Sequence, residues 1–285
     1  MQPSPYGDLN EVLSELERGI DGVLGRNLVG LYLQGSFALG DYDEHSDVDF
    51  IAVTDQELTE DEVTRLTTLH ERLFRLPSEW AKHLEGSYFS REQLRSEPGT
   101  PVWFLNHGST QLERSDHCNT LVVRWILSHL GVPLLGPPIG TLIDPVDSDA
   151  LRAESRQTLL DWGAEILQDR GAYNNRFYQG LIVFTLCRVL HTVETGQVHS
   201  KRASAEWMKH WLRSEAAGPV LSRASHVTGA TVGGEEVGEL IDRAWTTRPD
   251  PYTSSRTPAD AADFSLTLAL VEAVTDHLRT VKDQK

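Results

Sequence analysis

Gly35-Ser36-Phe37-Ala38-Leu39-Gly40, followed after five residues by Ser46-Asp47-Val48-Asp49, is the stretch on which the reading of this chain turns. Immediately upstream, Val29-Gly-Leu-Tyr-Leu-Gln34 reads as a short strand. Downstream, Asp47 to Thr54 reads as a second one, rich in β-branched and aromatic residues. Gly35 lets the backbone turn tightly between them and come close to a ligand. Ser36 stands just past the first strand, where its hydroxyl and the neighbouring N–H groups can hold an anion. Residues 37–40 are predicted to form a helical turn whose N-terminus adds to that anion site. Asp47 and Asp49 lie two apart on a strand, so both carboxylates project from one face while Val48 points into the core. Two neighbouring carboxylates repel unless a cation sits between them. Mg²⁺ suits the position because it takes oxygen ligands and is commonly shared with phosphates.

Working outward, a helix is expected from Leu13, Leu16, Ile20, Val23 and Leu24, and another over Glu60 to Leu76. His83 to Phe89 is a third strand candidate and carries Glu85. Should it lie beside Asp47–Asp49, Glu85 completes a carboxylate triad of the kind that holds metal ions for in-line phosphoryl or nucleotidyl transfer. Residues 90–115 look like a long insertion, and Thr120 to Leu130 reads as a helix. The densest Pro/Gly run, from Gly131 to Pro145, marks a boundary. Beyond it strand signals almost vanish, and helices are expected near 149–170, 173–195, 200–213, 235–247 and 258–281. Ser200 is expected to cap the third of these and Thr257-Pro258 to open the last. The expected architecture is α+β: a sheet domain over residues 1–145, then an all-α bundle over 146–285.

Among 285 residues, 26 Lys and Arg face 42 Asp and Glu, a formal net charge of −16. Residues 1–147 hold most of the excess, with 10 basic and 24 acidic side chains. That balance argues against a protein built to grip nucleic acid, and it suits cationic ligands and metal ions. Cys118 and Cys187 have no CxxC spacing, which excludes a disulfide scaffold. The N-terminal twenty residues carry acids where a signal peptide needs an apolar run. The longest apolar stretch, Leu181 to Leu190, is broken by Arg188 and is too short to span a bilayer. A cytoplasmic protein, reduced and without a membrane partner, is therefore expected. Gly229 to Gly234 is Gly-rich but lacks the Lys-Ser/Thr of a phosphate-binding P-loop. His117-Cys118 shows no metal-ligand spacing and reads as packing, as do Cys187, Trp207 and Trp211.

The Gly35-Ser36…Ser46-Asp47-Val48-Asp49 pattern resembles the signature of the DNA polymerase β-like nucleotidyltransferases. A second stretch narrows the likeness: Phe184-Thr-Leu-Cys-Arg188-Val-Leu-His-Thr-Val-Glu-Thr-Gly196, then Lys201 and Ala205-Glu206-Trp207. It resembles the helical domain of the streptomycin/spectinomycin-type aminoglycoside adenylyltransferases. The resemblance covers about residues 10–225. It implies transfer of AMP from Mg-ATP to a drug hydroxyl with release of pyrophosphate. By that likeness Asp47 and Asp49 hold two Mg²⁺ ions, and Glu85 is a metal ligand or the general base. Gly35, Ser36 and Ser46 contact the triphosphate, and Arg188 and Lys201 from the helical half bind phosphates. The implied partners are ATP and a small polycationic antibiotic, with no nucleic acid, and the enzyme is expected to be a monomer.

One departure matters. The family carries an acidic residue and a nearby tryptophan at the start of its long helix to grip streptomycin. Here that region reads Tyr173-Asn-Asn-Arg-Phe-Tyr-Gln179, without an acid, and Trp162 is the nearest upstream tryptophan. Residues 103–108 and 113–117, with His107 and His117, are the expected acceptor wall in its place. The alternatives are another small-molecule or protein acceptor, and a non-catalytic nucleotide-binding regulatory module.

Overall fold

Val48 to Thr54 alternates between two buried environments. Val48, Phe50 and Ala52 enter one apolar cluster, while Ile51 and Val53 enter another on the opposite face. A strand buried on both faces belongs in the middle of a sheet. The computed structural model, which describes residues 3–246 and 251–281, shows two compact units, Met1–Val146 and Asp147–Lys285.

In the first unit, α1 (Gly7–Leu24) leads to β1 (Leu28–Leu33), the single-turn α2 (Gly35–Leu39), β2 (Val48–Thr54), α3 (Glu60–Phe74) and β3 (Leu84–Ser90). Then come α4 (Arg91–Arg95), β4 (Val102–Leu105), β5 (Leu112–Ser115), α5 (Leu121–Leu130) and β6 (Val132–Leu135). The strands form one mixed sheet in the order β5-β4-β3-β2-β1-β6. β2 and β3 pair in parallel through the α3 crossover, and the remaining pairs are antiparallel. α1 and α3 cover one face of the sheet. Thr59 and Glu62 close a capping box at the start of α3, the Thr59 hydroxyl accepting from Glu62 N and the Glu62 carboxylate accepting from Thr59 N.

The expected insertion over 90–115 is instead the outer part of the sheet. Its strands are four residues long, and β5 presents largely exposed Glu113 and Arg114, so no alternation announces it. Buried Arg124 secures this region, donating to Asn119 Oδ1 at 2.8 Å and to the Gln93 carbonyl at 3.1 Å. Within the Pro/Gly-dense run, Val132–Leu135 forms an edge strand antiparallel to β1. Pro133 is tolerated there because an edge strand can leave one side of its backbone without a ladder partner.

The second unit is helical: α6 (Ser148–Gln168), α7 (Arg176–Thr195), α8 (Lys201–Trp211), α9 (Gly218–Thr228), α10 (Gly234–Thr246), α11 (Pro251–Arg256) and α12 (Ala261–Val281). Residue 247, at the end of one expected helix, lies outside the described residues. Ser200 caps α8, accepting from Ala203 N at 3.1 Å. α12 begins later than expected: Asp260 Oδ1 accepts from the N–H groups of Ala262 and Asp263, and the Thr257-Pro258 pair stands upstream. α9 falls between two of the expected helices and carries Pro219 in its first turn. Proline at the start of a helix is harmless, since the first N–H groups have no helical acceptor. Among the described residues no helix is long and apolar enough to cross a membrane.

His70, on α3, is fully enclosed, and its Nε2 lies 2.7 Å from the Tyr88 hydroxyl of β3. Burial lowers its pKa to about 3, so the imidazole is neutral in the fold. The unfolded chain takes up that proton once the pH drops below about 6.5, so stability is lost as pH falls from about 6.5 toward 3. Unfolding free energy from urea titration is expected to fall by about 2 kcal/mol between pH 6.5 and 5 through this group. A His70→Gln variant should show a correspondingly shallower dependence.

Candidate active site

The phosphate-loop candidate is tied to β2 by its first residue: Gln34 N donates to the Asp49 carbonyl at 2.9 Å. Gly35 follows with φ 58°, a left-handed conformation that glycine adopts without steric cost. The same residue passes so close to Asp49 that a β-carbon there would stand 2.0 Å from Asp49 Oδ2. The backbone of Gly35 and the Asp49 carboxylate therefore share one small space that only glycine leaves open. Phe37 anchors α2, buried and stacked on Tyr42 with ring centroids 4.3 Å apart. Ser36 Oγ is buried without a hydrogen-bond partner. A hydroxyl left so is costly unless a ligand meets it.

β2 and β3 run in a register that sets Asp49 opposite Glu85, Phe50 opposite Gly86 and Val48 opposite Leu84. Glu85 is thus a lateral neighbour of Asp49, as the triad requires. Gly86 has no room for a side chain, because the Phe50 ring occupies the place of its β-carbon at 2.3 Å. Asp47 immediately precedes β2, and Val48 N donates to the His83 carbonyl at 2.8 Å, which draws the start of β3 alongside it. Ser46 closes the turn before the strand: its Oγ accepts from Asp43 N at 2.9 Å and donates to Asp43 Oδ1 at 3.3 Å.

The tertiary structure adds His83 to the residues legible in the sequence and gathers them around the carboxylates. His83 Nδ1 and His107 Nε2 lie 3.8 and 3.4 Å from Asp47 Oδ1. His117 Nε2 lies 3.7 Å from Glu85 Oε1, and Cys118 completes a cluster with these two residues. Cys118 is buried, as the packing reading expects, and stands beside Glu85 and His117. Burial, reinforced by the charges of Glu85 and Asp49, pushes its thiol up to about 12. Both histidines of the expected acceptor wall, His107 and His117, come from the β4–β5 region and stand at the acidic cluster. Linear spacing could not show this, since the ligands come from separate strands and turns.

In the helical unit, Arg188 lies half-buried on α7 and Lys201 exposed at the first turn of α8. The start of α7 lacks an acid, but α6 supplies one. The Tyr173 hydroxyl donates to Glu165 Oε1 at 2.5 Å, which raises the pKa of the phenol. Trp162 and Tyr178 pack edge-on against Tyr173, with ring centroids 6.1 and 5.0 Å away. An exposed carboxylate set among aromatic rings can attract organic cations. The sequence signal was present in Trp162 and Glu165, three apart on one helix face, and lacked only its partner across the turn.

The close approach at Gly35 can be tested without any ligand. Gly35→Ala is expected to lower the unfolding free energy by about 1–3 kcal/mol through crowding and the left-handed backbone. The penalty should shrink in an Asp49→Ala background, where the carboxylate is gone; a double-mutant cycle by urea unfolding reads the difference.

Comparison with known proteins gives two family matches. Residues 16–84 match the nucleotidyltransferase domain, and residues 141–238 match the aminoglycoside adenylyltransferase C-terminal domain. Among solved structures, the crystal structure of spectinomycin adenyltransferase AAD(9) from Enterococcus faecialis, with ATP and spectinomycin, shares the fold. Its TM-score is 0.62 at 13% identity, covering 94% of this chain and 98% of that one. No curated protein matches the sequence. The first match contains the Gly35 loop, Asp47 and Asp49 and runs to the start of β3, and the second contains Arg188 and Lys201. With this pair of domains in this order, the chain belongs to the aminoglycoside adenylyltransferases, enzymes of the nucleotidyltransferase class.

Proposed function

We propose that this enzyme transfers AMP from Mg-ATP to a hydroxyl of an aminoglycoside-type antibiotic, of the streptomycin or spectinomycin kind, and releases pyrophosphate. The observation that carries the reading is the register of β2 and β3, which sets Glu85 beside Asp49 at the mouth of the Gly35 loop. Asp47, Asp49 and Glu85 offer the oxygen donors that two Mg²⁺ ions prefer, and the unpartnered Ser36 hydroxyl fits a phosphate oxygen. When bound, Mg²⁺ neutralises the triphosphate and steadies charge on the leaving pyrophosphate.

The protein's own groups then have distinct tasks. Asp47 and Asp49 hold positive charge at the loop, and Gly35 and Ser36 bring backbone and hydroxyl donors to the phosphates. Ser46 shapes the turn that presents Asp47, and is assigned a triphosphate contact through that turn. Glu85, less exposed than Asp47, accepts the proton of the acceptor hydroxyl while the oxygen attacks the α-phosphorus and pyrophosphate departs in line. Arg188 and Lys201 bind the triphosphate as cations. The use of ATP places the reaction in the cytoplasm.

For the acceptor, the acid expected at the start of α7 is replaced by Glu165 with Trp162, Tyr173 and Tyr178 around it. A polycationic sugar suits that surface and the net negative charge of the catalytic half. The changed position of the acid favours a drug gripped differently from streptomycin, with spectinomycin as the first candidate.

Pyrophosphate release from Mg-ATP against a panel of aminoglycosides, spectinomycin and streptomycin included, tests the proposal. Release should depend on one or a few drugs and fall to background in Asp47→Asn. Release by Asp47→Asn at the wild-type rate would remove the metal assignment. Glu85→Gln is expected to keep ATP binding and slow turnover by about 10²–10⁴-fold if Glu85 is the base. Loss of ATP binding in that variant would make it a metal ligand instead.

A further inference from the structure

His83 and His107 have no part in the reaction above, yet both aim a ring nitrogen at Asp47. Three atoms define a triangle. His83 Nδ1 and His107 Nε2 are 2.9 Å apart, and Asp47 Oδ1 lies 3.8 Å from the first and 3.4 Å from the second. For a tetrahedral Zn²⁺ with bonds of about 2.0–2.1 Å, neighbouring ligand atoms stand about 3.3–3.4 Å apart. The observed edges bracket that value, so small side-chain rotations would make them one face of a tetrahedron.

Two further features make this a preorganised donor set. The His83 backbone is pinned beside Asp47, because its carbonyl accepts from Val48 N at 2.8 Å. The two imidazoles lie with centroids 5.1 Å apart and planes 15° from parallel, and their facing nitrogens meet at 2.9 Å beside Asp47. Without a metal, one ring must donate a proton to the other across the 2.9 Å contact. The side chains are 28%, 35% and 47% exposed for His83, His107 and Asp47, which gives an ion access and leaves a fourth position for water or a phosphate oxygen. Two imidazoles and one carboxylate favour a borderline transition metal over Mg²⁺, which prefers all-oxygen octahedral surroundings.

We propose that Asp47, His83 and His107 form a Zn²⁺ site that shares Asp47 with the Mg²⁺ assignment, and that its occupancy inhibits the enzyme. The site itself stands on geometry alone. The inhibitory consequence rests on the proposed function, because Zn²⁺ bound there takes Asp47 away from the Mg-ATP complex.

The test uses the full chain, stripped with a chelator and titrated with Co²⁺ as a spectroscopic substitute for Zn²⁺. The expected result is one visible tetrahedral Co²⁺ spectrum, displaced by Zn²⁺, still present in millimolar Mg²⁺, and weakened about tenfold or more in both His83→Gln and His107→Gln. Circular dichroism establishes that the variants fold. Unchanged Co²⁺ affinity in both variants would overturn the site, as would a thiolate-to-cobalt band in the near ultraviolet, which would place the ion at Glu85, His117 and Cys118. In turnover with Mg-ATP and a competent drug, the Zn²⁺ concentration for half-inhibition should rise about tenfold or more in His83→Gln. Equal inhibition of wild type and variant would overturn the regulatory half. A chain that turns over no drug but shows the histidine-dependent Co²⁺ spectrum would count against the proposed acceptor and in favour of the metal site.

Discussion

The parallel pairing of β2 with β3 is the constraint from which the catalytic unit follows. Its register is held by apolar side chains on both faces, Val48, Phe50 and Ala52 on one and Ile51 and Val53 on the other. A slip of one residue would exchange the two sets and turn every side chain to the wrong layer. The carboxylates inherit that precision, for Asp49 lies opposite Glu85 only because Phe50 lies opposite Gly86. Glycine at 86 belongs to the same fit, since the Phe50 ring fills the space a β-carbon would need. Core packing and site geometry are thus a single arrangement.

That arrangement concentrates negative charge, and the surrounding groups register it. The Cys118 thiol is held well above its ordinary range, first by burial and then by the Glu85 and Asp49 charges. His83 and His107 stand by Asp47, and His117 by Glu85. Such crowding of acids is unfavourable unless positive charge offsets it.

The helical unit shows the same separation of local and distant contributions. Its helices are set by caps close in sequence: Asp147 for α6, Asn175 for α7, Ser200 for α8 and Asp260 for α12. The anionic aromatic surface, in contrast, needs two helices and the turn between them. Glu165 and Trp162 come from α6, Tyr173 from the turn and Tyr178 from α7. The start of α7 carries no acid, and Glu165 stands one helix upstream, on α6.

The sequence by itself determined whatever depends on near neighbours. The strand–glycine–serine turn, the alternation of Asp47, Val48 and Asp49, the three-to-four spacing of Leu13, Leu16 and Ile20, and the Ser200 cap all follow from steric and hydrogen-bonding rules acting over a few residues. The same local reading suggested Glu85, because a third strand with a carboxylate near its start was visible. Short outer strands escaped it: β4, β5 and β6 are four residues each, and the edge strands β5 and β6 are only half-covered, so no period of two rises above the turn residues around them. Only the tertiary structure decided that Glu85 adjoins Asp49, that His83 and His107 meet at Asp47, and that Glu165 reaches Tyr173. Those pairings join residues from different elements, and their closeness is set by how the buried faces fit together, which no window along the chain contains.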